Sequence, residues 1–240
     1  GPINFSEPTQ LIASTSVVAN NICPGDCIAE EDLSISGGTE PYSFTLNSGA
    51  PINLPSGIFS YSFVALCANT YDIVVTDANG CLASPSPTTF IVAPILPILP
   101  AGAVSLMNQN GYNITCNGFS DGSITAFATG GTGAFTYSLD GVNFQSSPLF
   151  LALSAGTYTV TYKDANGCVA TEVLVLNEPP ALSGSASVTQ DVDCFGASTG
   201  EITFTVDPAQ PGVSPYQYSI NAGALLPSDI FVGLAGNITY

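Results

Sequence analysis

A string that occurs twice constrains this chain more than any other feature. Residues 66–81 read LCANTYDIVVTDANGC, and residues 153–168 read LSAGTYTVTYKDANGC. In the second copy Tyr158, Val160 and Tyr162 alternate with polar residues, the period of two that is typical of a strand with one buried face. The Asp-Ala-Asn-Gly segment then predicts a turn, because Asn and Gly tolerate positive φ. Each string therefore predicts a β-hairpin, and the chain is predicted to be a repeat array.

The units of this array are predicted to be immunoglobulin-like β-sandwiches. Short alternating segments are separated by Gly, Pro and Asn turns, and no helical period occurs, so we predict an all-β fold with units of about 85 residues. The predicted boundaries are the end of a preceding repeat at 1–8, repeat 1 at 9–94, repeat 2 at 95–179, and a C-terminally incomplete repeat 3 at 180–240.

Two local patterns refine this prediction. Pro94, Pro97 and Pro100 recur at intervals of three, which predicts an extended polyproline II connector between the first two repeats. The pattern Leu-x-Ala-x-x-Tyr ends at Tyr71 and at Tyr158, and it predicts a tyrosine corner, in which the hydroxyl binds nearby backbone at the start of strand F.

The charge balance excludes two classes of partner. The 240 residues contain 18 acids and a single Lys or Arg, for a formal charge of −17. Nucleic acids and anionic membranes are bound through cationic side chains, so neither is expected as a partner.

No apolar run reaches the roughly 20 residues that cross a bilayer, so no membrane span is predicted. Seven cysteines without histidine indicate disulfides and an extracellular setting.

Catalysis is not expected. The chain has no histidine to serve as the base of a Ser-His or Cys-His pair. Glu30, Glu31 and Asp32 are consecutive, so in a strand they point alternately to opposite faces and are predicted to form a solvated edge rather than an acid pair. We predict that the segment is not an enzyme and needs no cofactor.

Calcium is the alternative with some support in the sequence. Asp77 with Asn79, and Asp164 with Asn166, place two oxygen ligands at the i, i+2 spacing that calcium loops use. A further acidic ligand downstream is missing, and an Asp-x-Asn-Gly turn forms without metal. We therefore favour a structural turn at both places.

The motifs of the second repeat resemble a known family. Residues 116–168 carry Cys-Asn-Gly-Phe-Ser-Asp-Gly-Ser-Ile, then Gly-Gly-Thr-Gly-Ala-Phe-Thr-Tyr-Ser, then the opening string. This order resembles the SprB repeat. The resemblance implies a large surface protein of Bacteroidetes, of the kind that includes gliding-motility adhesins exported by the type IX system. The first repeat departs from the motif after Cys23, and the third has Ile238 where the tyrosine is expected.

One disulfide is predicted from the register of the repeats. Aligning the first two repeats places Cys27 opposite Ser120 and Cys67 opposite Ser154. Both cysteines therefore occur together in one repeat and both serines in the other. We predict that Cys27 and Cys67 are bonded.

The remaining cysteines leave two schemes open. Bonds within repeats would pair Cys23 with Cys81 and Cys116 with Cys168. However, these positions are predicted at opposite ends of strand F, about 20 Å apart at ~3.3 Å per residue, whereas a disulfide needs Cα atoms within about 7 Å. A bond between repeats, from Cys23 to Cys168, avoids this gap, and we favour it narrowly.

Together these patterns predict a structural stalk segment of a secreted, multi-repeat cell-surface adhesin or filament. Its expected partners are neighbouring repeats of the same long chain, with surface glycans or other cells reached through other parts. The competing hypothesis is an adhesion module that binds calcium or glycan.

Overall fold

Every regular element of the described chain is a β-strand. The computed structural model describes residues 3–4, 6–104 and 111–240, and within these ranges there are eighteen strands and no helix. The predicted all-β fold class is therefore confirmed. None of the described residues forms a helix long and apolar enough to span a membrane.

The first repeat is a sandwich of two antiparallel sheets. Strands β1, β2 and β5 form one sheet in the order β1-β2-β5, and the other has the order β4-β3-β6-β7. The strands are β1 (Ile12–Ala19), β2 (Ala29–Ser36), β3 (Ser43–Leu46), β4 (Ile52–Asn53), β5 (Ser60–Leu66), β6 (Asn69–Thr76) and β7 (Thr88–Val92).

The core of this sandwich follows the period of two. Leu33 of β2, Phe44 of β3 and Ile73 of β6 are almost fully buried. Their two sheets meet through aromatic rings, with the centroids of Phe44 and Phe63 5.5 Å apart at a steep angle. Since each buried aliphatic or aromatic side chain contributes about 2 kcal/mol, the alternation is what holds the two sheets together.

Glu31 contradicts the prediction of a solvated acidic edge. It lies on the core side of β2 and is only 5% exposed, while Asp32 is partly exposed and accepts a hydrogen bond of 2.6 Å from Ser62 Oγ. The prediction was wrong for Glu31 because the strand period places it with Leu33, whatever its charge. Equivalent pairing in the second repeat gives this core position to Ile124.

The second repeat has the same order of strands with its outer pair interrupted. The strands are β8 (Ile98–Pro100), β9 (Ala103–Val104), β10 (Gly122–Thr125), β11 (Ala128–Gly130), β12 (Thr136–Ser138), β13 (Leu149–Leu153), β14 (Gly156–Lys163) and β15 (Val169–Leu176). The sheets are β13-β10-β9, β11-β8 and β12-β14-β15. A backbone hydrogen bond of 2.7 Å from Ala101 N to Phe127 O bridges the interruption in the outer pair.

The predicted polyproline connector is wrong for residues 98–100. They form β8, which pairs with β11, and only residues 93–97 separate β7 from β8. Ile98 is 7% exposed, so burial of its side chain draws this segment into the sandwich. Proline is tolerated at the margins of a strand, where its missing N–H is not needed.

The third repeat contributes one three-stranded sheet. Its strands are β16 (Leu182–Gln190), β17 (Gly200–Pro211) and β18 (Ile230–Leu234), in the order β16-β17-β18. Gly200 pairs with Leu234 as Gly122 pairs with Leu153 in the second repeat. The register of the three repeats is therefore the same at this point.

The compact units of the chain do not coincide with the sequence repeats. One unit consists of Gly1–Leu99, Ala128–Phe135 and Tyr162–Ala170, and the other of Pro100–Phe127, Thr136–Thr161 and Thr171–Tyr240. The repeat boundaries therefore stay a prediction.

All three repeats carry the same β-bulge. Ala65 and Ala152 both have φ of 57°, and Gly233 has φ of 75°, each directly before the leucine that ends its strand. The pairing register shifts beside each of them. A bulge residue in this left-handed region bends the strand and sharpens its twist.

We expect Ala65→Val to lower the free energy of unfolding by about 2 kcal/mol, because a β-branched residue is strained at this φ. Ala68→Val, at an exposed position without positive φ, should change it by less than about 0.5 kcal/mol. Urea unfolding of both variants would test this. Equal stability of the two variants would contradict the assignment of the bulge.

Candidate functional site

Each repeat holds one cysteine at the first position of a tight turn. In these cysteine turns, residues 23–26, 116–119 and 194–197, the fourth residue donates its N–H to the cysteine carbonyl at 3.1, 3.1 and 3.0 Å. The third residue is glycine with φ of 85°, 78° and 80°. Positive φ at this position is what a type II turn requires. The sequence at the turn differs between repeats, but its backbone does not.

Different side chains close the cysteine turns. In repeat 1, Asp26 Oδ2 accepts the Cys23 N–H at 2.6 Å. In repeat 2, Asp121 accepts both the N–H and the hydroxyl of Thr115, and the hydroxyl bond lowers the pKa of Asp121. In repeat 3, Thr199 Oγ1 accepts the Asp193 N–H at 2.9 Å. The spacing Cys-x-Gly is common to the three turns, whereas the side-chain bonds beside them differ.

A second kind of cysteine position follows β6 in repeat 1 and β14 in repeat 2. In repeat 1, Asp77 Oδ1 accepts the N–H groups of Asn79 and Cys81, both at 2.9 Å. Its other oxygen, Oδ2, accepts the Thr39 N–H at 3.0 Å. We call residues 77–81, with the equivalent 164–168, the aspartate turns.

The aspartate turn of repeat 2 has the same bonds. Asp164 Oδ1 accepts from Asn166 N at 3.0 Å and from Cys168 N at 2.9 Å, and Oδ2 accepts from Thr132 N at 2.9 Å. Both carboxylates are therefore committed to three backbone N–H groups each. These bonds fix the backbone of the cysteine that follows each aspartate.

This geometry bears on the calcium candidates Asp77, Asn79, Asp164 and Asn166. Asp77 is only 6% exposed, and its pKa lies below the usual range, chiefly because of the hydrogen bond from the Cys81 backbone. Asn79 Nδ2 donates to Thr39 Oγ1 at 3.0 Å, so this side chain is also engaged within the turn. Among the residues that the structure describes, no group of three or more His, Cys, Asp or Glu side chains is arranged to hold a metal ion.

Cys27 and Cys67 are bonded, with Cα atoms 3.9 Å apart. The equivalent side chains of repeat 2, Ser120 and Ser154, lie with their Oγ atoms 2.7 Å apart and share a hydrogen bond. The alignment that predicted the pair thus places the same two side chains in contact in both repeats.

Cys23 is bonded to Cys168, with Cα atoms 5.5 Å apart. Cys81 and Cys116, which the alternative scheme would have used, are free and exposed, as is Cys194. The bond joins the cysteine turn of repeat 1 to the aspartate turn of repeat 2. Cys168 is only 5% exposed, and its Sγ lies 3.3 Å from the carbonyl oxygen of Ile22.

Both predicted tyrosine corners are present. Tyr71 donates its hydroxyl to the Cys67 carbonyl at 3.1 Å, and Tyr158 donates to the Ser154 carbonyl at 2.9 Å. In repeat 3, Ile238 occupies the position where the tyrosine is expected. The hydroxyl of Tyr240 instead lies 2.9 Å from Ala235 N and accepts that N–H. The sequence spacing did not predict this contact, because the tyrosine follows its bonded residue by five positions in repeat 3 and by four in repeats 1 and 2.

The low pKa of Asp77 predicts an acid-sensitive turn. A carboxylate whose pKa is lower in the folded than in the unfolded state stabilises the fold above the unfolded pKa of about 3.9, and this contribution is lost as pH falls through the folded value. Asp77→Asn should lower the melting temperature at pH 7, because a carboxamide accepts through one oxygen only. The difference from the unsubstituted protein should shrink below about pH 4.

Thermal unfolding across this pH range would measure the effect. Asp72→Asn is the matched control, because the Asp72 carboxylate accepts only an exposed side-chain bond from Thr89 in the hydrogen bonds described. A melting temperature of Asp77→Asn that matches the control at every pH would contradict the role of the carboxylate.

Two segments of the chain are similar to a known repeat family. A model of the SprB repeat matches residues 110–144 and 186–225, which lie in the second and third predicted repeats. No curated protein matches the chain. A solved structure of three N-terminal domains of the bacteriophage RB49 Highly Immunogenic Outer Capsid protein (Hoc) is similar to it at 12% identity and a TM-score of 0.36, over 83% of this chain and 68% of that one.

The two matched segments contain the cysteine turns at Cys116 and Cys194, and the motifs at residues 116–168 pointed to the same family. These two segments of the chain are therefore similar to the SprB repeat.

Proposed function

We propose that this chain is a structural segment of a cell-surface adhesin or filament, a stalk built from SprB repeats that transmits load. The observation that carries this proposal is the Cys23–Cys168 bond, which ties one predicted repeat to the next. A covalent bond of this kind resists separation of the two repeats under tension.

The bond changes how the chain responds to tension. A force along the backbone that enters at Cys23 passes through the disulfide to Cys168 and bypasses the loop between them, which spans a sequence separation of 145. By chain entropy, closing a loop of this size stabilises the folded state by about 5 kcal/mol. Unfolding of the bypassed strands then adds nothing to the length of the chain.

The composition supports a surface location outside the cell. Disulfides form and persist in oxidising compartments. The formal charge of −17 makes copies of the chain repel each other and keeps them soluble at high density. Within this proposal, the SprB repeats favour a role in adhesion, including adhesion during gliding. We propose no catalytic activity, since the sequence supplies no histidine base.

Electron microscopy of the whole surface protein after negative staining would test the stalk. The proposal predicts long thin rods, and immunogold labelling with antibodies to this segment should mark the outside of intact cells. A compact globule, or label confined to the cell interior, would contradict it.

We also propose that calcium is not needed for folding, because the turn carboxylates of Asp77 and Asp164 each accept three backbone N–H groups without an ion. Melting curves with calcium and with the chelator EGTA should agree within about 2 °C, less than the shift that a change of 1 kcal/mol produces. A large fall of the melting temperature on chelation, abolished in Asp77→Asn and Asp164→Asn, would revive calcium binding.

A further inference from the structure

The free cysteines have the same turns as the bonded ones. Cys116 and Cys194 start type II turns with the same closing hydrogen bond as Cys23. Cys81 has its N–H fixed by the Asp77 carboxylate at 2.9 Å, the distance at which Asp164 holds Cys168. Its carbonyl accepts the Asp77 N–H at 3.0 Å, again as in the bonded turn. The backbone around each free thiol is therefore already set for the observed bond.

The bonded cysteine, Cys168, and its free equivalent, Cys81, differ in solvent exposure. Cys168 is buried, with the side chains of Pro24, Pro97 and Ile98 lining the space around the disulfide. Cys81, at the same position of its own aspartate turn, is exposed, as are Cys116 and Cys194. The bonded position is therefore buried, and the equivalent unbonded position is exposed.

We propose that the free cysteines are half-sites for the same directional link. Cys81 forms a disulfide with the cysteine turn of another repeat, and Cys116 and Cys194 each form one with the aspartate turn of another repeat. For the purified 240-residue chain the partner is a second copy, joined from Cys81 of one molecule to Cys194 or Cys116 of the other. The link is directional, because a cysteine turn combines only with an aspartate turn. Copies therefore join in one direction along the array. This proposal deepens the stalk function, but it rests on turn geometry.

The chemistry balances with a disulfide oxidant. Two thiols lose two protons and two electrons as the new S–S bond forms, and one molecule of oxidised glutathione takes them up to give two molecules of reduced glutathione. A mixed disulfide at one cysteine, attacked by the thiolate of the other, is the intermediate. The exposed positions of the three free thiols allow both steps.

Disulfide mapping of the full chain in a glutathione redox buffer tests the link. We expect a ladder of oligomers on a non-reducing gel, and peptides that join Cys81 to Cys194 or Cys116. Cys81→Ser should abolish the ladder although two exposed thiols remain. The double variant Cys81→Ser, Leu82→Cys is the matched control: it restores an exposed thiol one residue away, outside the aspartate turn bonds, and should not restore the ladder.

Three results would overturn the proposal. These are peptides that join like turns, such as Cys81 to Cys81, oligomers that persist in Cys81→Ser, or glutathione adducts without any oligomer. None of them would affect the stalk function, which depends on the shape and location of the whole protein. Conversely, a compact whole protein with unlike-turn peptides would overturn the stalk and leave the link in place.

Discussion

The disulfide between Cys23 and Cys168 is the constraint on which the proposed stalk function depends. Its two cysteines are far apart in sequence, at a separation of 145, and each is the end of a separate chain of local interactions. Cys23 begins a turn that glycine makes accessible and Asp26 closes. Cys168 is held by a carboxylate at the end of strand F. A disulfide tolerates little variation in Cα separation, so both turns must be correct for the bond to form.

Backbone N–H groups replace cationic side chains as the partners of the buried aspartates in this chain. With one Lys or Arg in 240 residues, the acids have almost no positive side chains to pair with. Asp77 and Asp164 are stabilised by backbone N–H groups instead, which carry partial positive charge and cost no side-chain entropy. The same bonds satisfy N–H groups of a tight turn that would otherwise be left without partners. An acidic surface and an ordered turn are therefore compatible.

The sequence predicted those features that depend on local pattern. Strand alternation set the sandwich, the leucine-to-tyrosine spacing located the corners at Tyr71 and Tyr158, and the paired replacement by serine located Cys27 with Cys67. The errors arose where residue type suggested an environment that burial overrode. Glu31 follows the strand period into the core despite its charge, and β8 joins a sheet although its prolines suggested a free connector. The turns at Cys23, Cys116 and Cys194 share the spacing Cys-x-Gly, but the different side-chain bonds beside them were not predicted.

If the Cys23–Cys168 bond removes a large part of the chain from extension under load, single-molecule force measurement will show it in the contour length. Pulled from its ends without reductant, the chain should unfold to a contour length that excludes the loop from Cys23 to Cys168, a sequence separation of 145. In reductant the contour length should increase by about 500 Å, at ~3.5 Å per residue. Cys168→Ser should show the longer contour without reductant, apart from the shorter loop that Cys27–Cys67 still closes. Equal contour lengths of the unsubstituted protein with and without reductant would contradict the account.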